Sequence, residues 1–345
     1  MKRLIVASTR QNAGKTGIIV GIGRVLRGRI GYMKPFGDRL LYRKKRFWDY
    51  DSALVTNLFH LREDPTYLSL GFDHSKLSFM HDEHATRKRL LDLLSDFETK
   101  KDIVFFEGGR DLGYGASVFL DAFSVSRYVG GRIILVVSGN EDAVMDDLAF
   151  FRKRVVMNDV ELEGIIVNRV PDPENFRSVY LPRIDRMGIP VLGLIPRQKE
   201  LLQFTIAFLA ELLFAKVLTG GRYLNRNAGN VFVGTMATDS AVGNPHFHAD
   251  DKVLVTGGDR TDMIMEALKG STAAVVLTGN IAPAPAVVSE AGRQRVPLLL
   301  VSSDTYQIAR QIDGMEPLLT KEDKPKISIW EKLIRTHVNV KRITA

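Results

Sequence analysis

Cysteine is the most informative absence from this sequence, which contains none among its 345 residues. Without thiols the chain has no disulfide framework, no thiolate zinc or iron–sulfur site and no cysteine nucleophile. The cysteine-dependent glutaminases are therefore excluded as a class.

Long apolar runs are scarce as well. The first residues, MKRLIVASTRQNAGKT, contain an apolar run of about four residues, which is too short for a signal peptide. We therefore expect a cytoplasmic protein. Residues 201–218, LLQFTIAFLAELLFAKVL, reach the length of a membrane span but carry Gln203, Glu211 and Lys216. This composition predicts a helix buried in the core or in the interface of a homodimer, and no membrane association.

Basic residues outnumber acidic ones, with Lys+Arg 48 against Asp+Glu 40 and a net charge of +8. Such a balance favours anionic ligands such as nucleotides and acyl or phosphoryl groups. The excess is spread along the chain, so nucleic acid is not specifically implied.

Short apolar segments alternate with helical patterns along the first two hundred residues. The predicted strands are 3–8, 30–34, 102–106, 132–137, 164–167 and 191–194, and the last four are continuous apolar runs typical of buried strands. Because such strands are apolar on both faces, the alternation predicts a doubly wound parallel α/β sheet.

A break rich in Gly, Asn and Arg at residues 219–230 precedes a second, smaller α/β unit. Its predicted strands are 231–234, 252–256, 273–278 and 297–302. We therefore predict domains at residues 1–215 and 225–320, followed by a charged, peripheral tail at residues 321–345.

The motif with the clearest chemical meaning is STRQNAGKT, residues 8–16, between the first strand and the first helix. In a phosphate loop at this position, backbone N–H groups face the anion, a lysine reaches the terminal phosphates and a hydroxyl binds Mg²⁺. Thr9 stands where the standard motif has its first glycine, so an ordinary strand-turn-helix junction is the alternative. The predicted nucleotide-binding residues are Asn12, Ala13, Gly14, Lys15, Thr16 and Gly17.

Further polar side chains follow predicted strands at the same edge of the sheet. Glu107 follows the strand DIVFF, Lys34 ends the second strand, and Asp49 and Asp51 lie in WDYDS. We predict Thr16 and Glu107 as Mg²⁺ ligands, with Asp49 and Asp51 as further candidates. Lys15, Lys34 and Glu107 are the predicted catalytic residues, and Lys34 would neutralise a phosphate or an acyl-phosphate-like transition state. A strand-end salt bridge is the alternative for Glu107, and a solvated lysine for Lys34.

Three elements together, residues 13–16 (AGKT), 31–35 (GYMKP) and 106–109 (FEGG), resemble dethiobiotin synthetase. They are more similar still to the N-terminal module of long bacterial phosphotransacetylases. The likeness continues through residues 164–170 (GIIVNRV) and 188–196 (GIPVLGLIP), so that it covers about residues 1 to 215. The resemblance implies a P-loop NTPase domain that holds ATP and Mg²⁺ through Lys15, Thr16, Lys34, Asp51 and Glu107, with Asn168 at the adenine. The cobyrinate amide synthases of the same wider class carry a cysteine glutaminase domain, which this chain cannot supply.

Residues 255–262, VTGGDRTD, resemble the DRTGG domain that follows the synthetase-like module in those phosphotransacetylases, where it is regarded as regulatory. The backbone amides of this strand-to-helix turn, together with Arg260, could take a small anion. Capping of the following helix by Thr261 or Asp262 is the alternative. The predicted effector site consists of Gly258, Asp259, Arg260 and Thr261.

Two departures separate this chain from the families that it resembles. Arg10 stands where dethiobiotin synthetases have an acidic residue, and residues 36–38 (FGD) replace their small substrate-contacting residues, which argues against diaminopelargonate as substrate. The acetyltransferase domain of phosphotransacetylases has no counterpart here, so we expect something other than a complete phosphotransacetylase.

Two functions stay open on this evidence. The first is a nucleotide-dependent regulatory or sensor protein, which responds to a small anionic metabolite and acts on an enzyme of acyl metabolism. The second is an enzyme that uses ATP to activate a carboxylate or carbamate. A binding module without nucleotide is a third possibility, if Thr9 and Arg10 block the loop.

Overall fold

The computed structural model describes residues 1–26, 28–43, 46–98, 101–158, 160–315 and 317–344. The chain divides into two compact units, Met1–Arg197 with Leu319–Ala345, and Gln198–Leu318. The first unit is thus built from both ends of the chain. The boundary lies at residue 197, before the predicted break at residues 219–230, because residues 198–218 supply secondary structure to the second unit.

The first unit contains a parallel sheet with helices between its strands. Its strands, numbered in chain order, are β1 (Lys2–Ser8), β2 (Ile30–Met33), β3 (Leu40–Arg43), β4 (Arg46–Asp49), β5 (Ile103–Glu107), β6 (Arg132–Ser138), β7 (Leu162–Val170) and β8 (Val191–Pro196). Six of them form the sheet in the order β2-β5-β1-β6-β7-β8, all parallel, while β3 and β4 pair as an antiparallel hairpin.

The helices of the first unit are α1 (Lys15–Val25), α2 (Tyr50–Phe59), α3 (His74–Met80), α4 (Glu83–Glu98), α5 (Ala122–Val129), α6 (Glu141–Asn158), α7 (Pro173–Asn175) and α8 (Leu181–Arg186), and near the C-terminus α14 (Lys324–His337) and α15 (Val340–Thr344). Central strand residues such as Leu4, Val104 and Ile134 are fully buried, since helices must cover both faces of an apolar parallel sheet. The predicted doubly wound α/β class is confirmed.

The C-terminal segment is not peripheral, contrary to the sequence-based expectation. Helix α14 packs on α1, and its residues Trp330, Leu333 and Ile334 are buried. A Cβ added to Gly17 would lie 2.2 Å from Cε2 of Trp330, and one added to Gly21 would lie 2.5 Å from Cγ1 of Ile334. The charges of the tail suggested exposure, but its apolar residues recur at helical spacing and form one buried stripe.

The second unit has its own sheet. Its strands are β9 (Phe204–Thr205), β10 (Lys216–Thr219), β11 (Asn227–Ala228), β12 (Asn230–Val233), β13 (Lys252–Gly257), β14 (Thr272–Thr278) and β15 (Leu298–Leu300), and its helices are α9 (Ile206–Leu212), α10 (Thr238–Val242), α11 (Thr261–Ala267), α12 (Pro285–Arg293) and α13 (Thr305–Asp313). The sheet order is β10-β15-β14-β13-β12, with only β10 antiparallel to its neighbour; β9 and β11 form a separate pair.

The single helix predicted for residues 201–218 is wrong. Thr205 caps the short helix α9 by accepting a hydrogen bond from the N–H of Phe208, and Phe214 leaves it with a left-handed φ of 50°. Strand β10 then pairs with β15. The interface helix, one of the two grounds for the predicted homodimer, is therefore not formed; the other ground, the pattern of the family that the chain resembles, is untouched, and the homodimer stays a prediction. Among the described residues no helix is long and apolar enough to cross a membrane.

Candidate functional site

The loop between β1 and α1 has the geometry of an anion-binding turn. Gly14, with φ 96°, and Asn12, with φ 63°, adopt left-handed conformations, which glycine and asparagine tolerate best. Helix α1 begins at Lys15, so its first N–H groups face the loop. Lys15 is buried, and its Nζ donates to Oγ of Ser8 at 2.9 Å. Burial lowers the pKa of this lysine.

Asn168, at the carboxyl end of β7, braces this loop. Its Nδ2 donates to the carbonyl oxygen of Ala13 at 2.8 Å, and its Oδ1 accepts from the N–H of Arg169. A Cβ on Gly14 would lie 2.5 Å from that Nδ2, so the glycine is required here. The sequence predicted Asn168 at the adenine; the structure places it against the loop backbone, and the adenine contact stays a prediction.

Thr9 and Arg10, the two residues that depart from family patterns, share one partner on α6. The hydroxyl of Thr9 donates to Oδ2 of Asp147 at 2.6 Å. Arg10 forms a two-pronged ion pair with the same carboxylate, at 2.8 and 3.0 Å. Asp147 therefore holds both side chains. The sequence does not indicate this contact, because Asp147 lies within a helix far along the chain.

Glu107 connects the loop helix to the neighbouring strand. Its Oε1 accepts from the hydroxyl of Thr16 at 2.8 Å, and its Oε2 accepts from the hydroxyl of Tyr32 at 2.8 Å. The carboxyl group is buried, and burial, reinforced by the nearby charge of Asp51, raises its pKa to about 7. Two predicted Mg²⁺ ligands, Thr16 and Glu107, are thus in direct contact.

Lys34 lies among three aspartates at the end of β2. Its Nζ is 2.6 Å from Oδ2 of Asp51, 2.5 Å from Oδ1 of Asp38 and 3.6 Å from Oδ2 of Asp49. The structure thus brings together both aspartates between which the sequence could not choose, and adds Asp38. The signal for Asp38 was its spacing, four residues after Lys34.

The three carboxylates hold Lys34 as a charged group. Burial alone would lower the pKa of Lys34, but Asp51 and Asp49 raise it well above the ordinary lysine value. The pKa of Asp51 is lowered, because Lys34 and Arg39 outweigh the opposing effect of burial. Burial raises the pKa of Asp49 to about 6, despite the nearby charge of Lys34. Lys34 is therefore buried and paired with carboxylates. The alternative interpretation, a solvated lysine, is wrong.

The aspartate cluster and Glu107 also have the chemistry of a hard-cation site. One oxygen each from Asp38, Asp49 and Asp51 lie within 4.8 Å of one another. Mg²⁺ and Ca²⁺ prefer such oxygen ligands, and Mg²⁺ is commonly held by one or two carboxylates together with substrate phosphates. The residues present therefore fit a magnesium ion. Asp49 also caps α2 through Oδ1, which accepts from the N–H groups of Asp51 and Ser52.

In the second unit, residues 258–261 form the turn between β13 and α11. Arg260 donates to the carbonyl oxygen of Met236 at 2.7 Å, and a Cβ on Gly258 would lie 1.8 Å from the carbonyl oxygen of Ile281. Arg260 occupies the cap position of α11 without a side-chain capping bond. Asp262 accepts a hydrogen bond from Thr238. The turn is thus closely packed, and its role as an effector site stays a prediction.

Family models match both parts of the sequence. Residues 2–204 match an AAA domain family, and residues 208–315 match a DRTGG domain family. The first match covers more than half of the chain. The predicted combination of a P-loop module with a DRTGG domain is confirmed.

Two curated proteins show what the chain is similar to. The phosphate acetyltransferase of Synechocystis sp. is 25% identical over 347 residues, which cover 94% of this chain and 48% of that protein. The hydrogenobyrinate a,c-diamide synthase of Rhodobacter capsulatus is 26% identical over 216 residues, which cover 58% of this chain and 42% of that protein. The chain spans about half the length of the curated relatives that it matches.

A solved structure of the CBS and DRTGG domains from the regulatory region of Clostridium perfringens pyrophosphatase, complexed with diadenosine tetraphosphate, is 16% identical with a TM-score of 0.29. The match covers 51% of this chain and 74% of that chain.

Proposed function

The chain belongs to the AAA domain family whose model matches residues 2–204, and on that basis we propose that it binds ATP with Mg²⁺ and serves as a nucleotide-dependent regulatory or sensor protein. The observation that carries the proposal is the contact between Thr16, the hydroxyl of the loop motif, and Glu107 at the end of β5. A hydroxyl and a carboxylate in this relation are the protein ligands that P-loop proteins use for Mg²⁺.

Different residues around the loop would contact different parts of the nucleotide. The N–H groups of residues 12–17 would face the phosphates, and Lys15 would leave Ser8 to reach the terminal ones. Thr16, Glu107 and Asp51 would hold Mg²⁺, which neutralises phosphate charge when bound. Asn168 would border the adenine.

Lys34 is suited to a charged phosphate. It is already a cation in a buried site, so a bound γ-phosphate would exchange one set of oxygen partners for another without a change of protonation. Asp38, Asp49 and Asp51 would then be released from Lys34 and available to a divalent cation.

The regulatory part of the proposal rests on the DRTGG match at residues 208–315 and on the similarity to phosphate acetyltransferases. We propose that residues 258–261 bind a small anionic metabolite and that the partner is an enzyme of acyl metabolism. A homodimer in the cytoplasm is the setting that we propose. Sedimentation velocity of the full chain tests the dimer.

A second candidate function is an ATP-dependent ligase that activates a carboxylate or carbamate. The arrangement of Lys15, Lys34 and Glu107 around one site favours it, together with the similarity to the Rhodobacter capsulatus synthase over 216 residues. Such an enzyme would transfer the γ-phosphoryl group of ATP to the carboxylate and release ADP.

The test is calorimetric titration of the full chain with ATP, with and without Mg²⁺, while phosphate release is followed in the same samples. Loss of a buried charge-assisted hydrogen bond costs about 1.5–3 kcal/mol, so Lys15→Ala should weaken binding about ten- to hundredfold. Lys88→Ala, on the exposed face of α4, is the matched control and should bind as the parent does.

Tight binding that needs Mg²⁺, with little phosphate release, supports a sensor. Release that accelerates with added carboxylates or amines supports a ligase. Absence of binding in the parent would overturn both functions.

A further inference from the structure

The first unit contains a cavity of about 650 Å³ that residues 8–17 do not line. Its walls come from the β3–β4 hairpin, the segment 66–73, α3 and α4. The volume lies within the range of about 300–1,000 Å³ that is usual for small-molecule pockets.

The lining of this cavity is mainly apolar. Leu70, Leu77 and Leu93 form its walls, while Tyr67 and Met80 are exposed to 62% and 54%. Large apolar side chains clustered at one exposed site indicate a binding surface, because a soluble protein otherwise keeps such groups apart or buried. A ligand for this cavity therefore needs an apolar body.

The rim of the cavity is positively charged. Lys76 and Arg89 have no carboxylate within ion-pair distance among the described residues, whereas Arg46 is paired with Asp64 at 2.9 Å. The only acidic residue of the lining, Asp73, uses its Oδ1 to accept from the N–H of Lys76 and so caps α3. The net charge favours an anion.

We propose that this cavity binds a medium-chain monocarboxylate, with its alkyl chain against the three leucines and its carboxylate at the cationic rim. The site is separate from the phosphate loop, although its wall runs beside the segment that carries Lys34: the N–H of Lys34 donates to the carbonyl oxygen of Leu68 at 2.9 Å.

The experiment is titration of the full chain, without nucleotide, with octanoate, octylammonium and acetate. We expect octanoate to bind, and the other two to bind at least tenfold more weakly, because one has the wrong charge and the other lacks the chain. Equal binding of octanoate and octylammonium, or no binding of octanoate, would overturn the proposal.

Variants locate the site. Arg89→Glu and Lys76→Glu should each weaken octanoate binding at least fivefold with an unchanged circular dichroism spectrum. Lys88→Glu, one residue away on α4 and not part of the lining, is the charge-matched control and should bind as the parent does. Full affinity in either cavity variant would count against the site. Lys15→Ala should bind octanoate as the parent does, because Lys15 is not part of the lining. The outcome of the nucleotide proposal therefore does not decide this one.

Discussion

Replacing Gly17 with alanine tests the packing of α14 against the loop helix. A Cβ at this position would lie 2.2, 2.4 and 2.6 Å from Cε2, Cζ2 and Nε1 of Trp330. The indole is 7% exposed, so it has little room to move. Overpacking costs about 1–3 kcal/mol, and alanine in a helix gains about 0.5–1 kcal/mol over glycine. Because the contacts are so short, we expect a net loss of about 2 kcal/mol.

The second half of the test removes the indole. Trp330→Ala should cost about 3–5 kcal/mol by itself. In that background the atoms that met the new Cβ are gone, so Gly17→Ala should stabilise by about 0.5–1 kcal/mol, the helix-propensity gain alone. The sign of the substitution therefore reverses between the two backgrounds, which is the coupling that a double-mutant cycle detects.

Gly21→Ala is the matched control. A Cβ there would lie 2.5 Å from Cγ1 of Ile334 and 2.9 Å from the carbonyl oxygen of residue 330, and both atoms remain in Trp330→Ala. Its cost should persist in both backgrounds. Urea unfolding followed by far-UV circular dichroism measures the three single and the two double variants, and the transition that shifts in Trp330→Ala identifies the first unit. If Gly17→Ala cost the same with and without the indole, the packing argument would be refuted.

Three further predictions concern the site. Because the pKa of Glu107 is raised to about 7, the folded state favours the protonated form. Metal-free stability should therefore fall as pH rises towards about 7, and Glu107→Gln should flatten that fall in thermal melts. Equal pH slopes in the parent and the variant would contradict this. Lys34→Met leaves buried carboxylates without their cation and should lower the free energy of unfolding in urea by about 3–5 kcal/mol. Mg²⁺ should restore part of that stability. A loss below about 1 kcal/mol would show that the aspartate cluster does not depend on this lysine. Asp147→Ala releases Thr9 and Arg10 from a partly exposed contact, so the free energy of unfolding should change by less than about 1 kcal/mol. ATP binding, measured by calorimetry, should weaken about fivefold. Unchanged affinity would mean that Asp147 does not order the loop.

Sequence patterns predicted the sheet of the first unit because its strands are apolar on both faces and each precedes a helical pattern. The loop and Glu107 followed from the rule that parallel strands present their carboxyl ends at one edge. What local pattern could not supply was long-range partnership. No residue near Thr9 in the sequence indicates Asp147 as its partner, and the spacing of the aspartates after Lys34 does not show that three of them surround its Nζ.

Two errors have a common physical cause. Residues 201–218 and the tail from residue 321 were interpreted from average polarity, the first as one apolar helix and the second as a charged, exposed segment. In the structure, pairing of β10 with β15 and packing of α14 on α1 decide the outcome, and both are tertiary contacts. Tertiary contacts override local propensity most readily in segments whose apolar and charged residues favour different structures.

The return of the chain to the first unit bears on the proposed regulation. The second unit is joined to the first at residue 197, directly after β8, and at residue 319. The carbonyl oxygen of Leu319 accepts from the hydroxyl of Tyr50 at 3.1 Å, and Tyr50 stands between Asp49 and Asp51. Trp330, further along the same segment, contacts the loop helix at Gly17. The connection to the second unit at residue 319 therefore begins next to the aspartate cluster of the candidate nucleotide site. Under the proposed regulation, a change in tension on residue 319 would act on the aspartate cluster through the chain itself, since Tyr50 links the two.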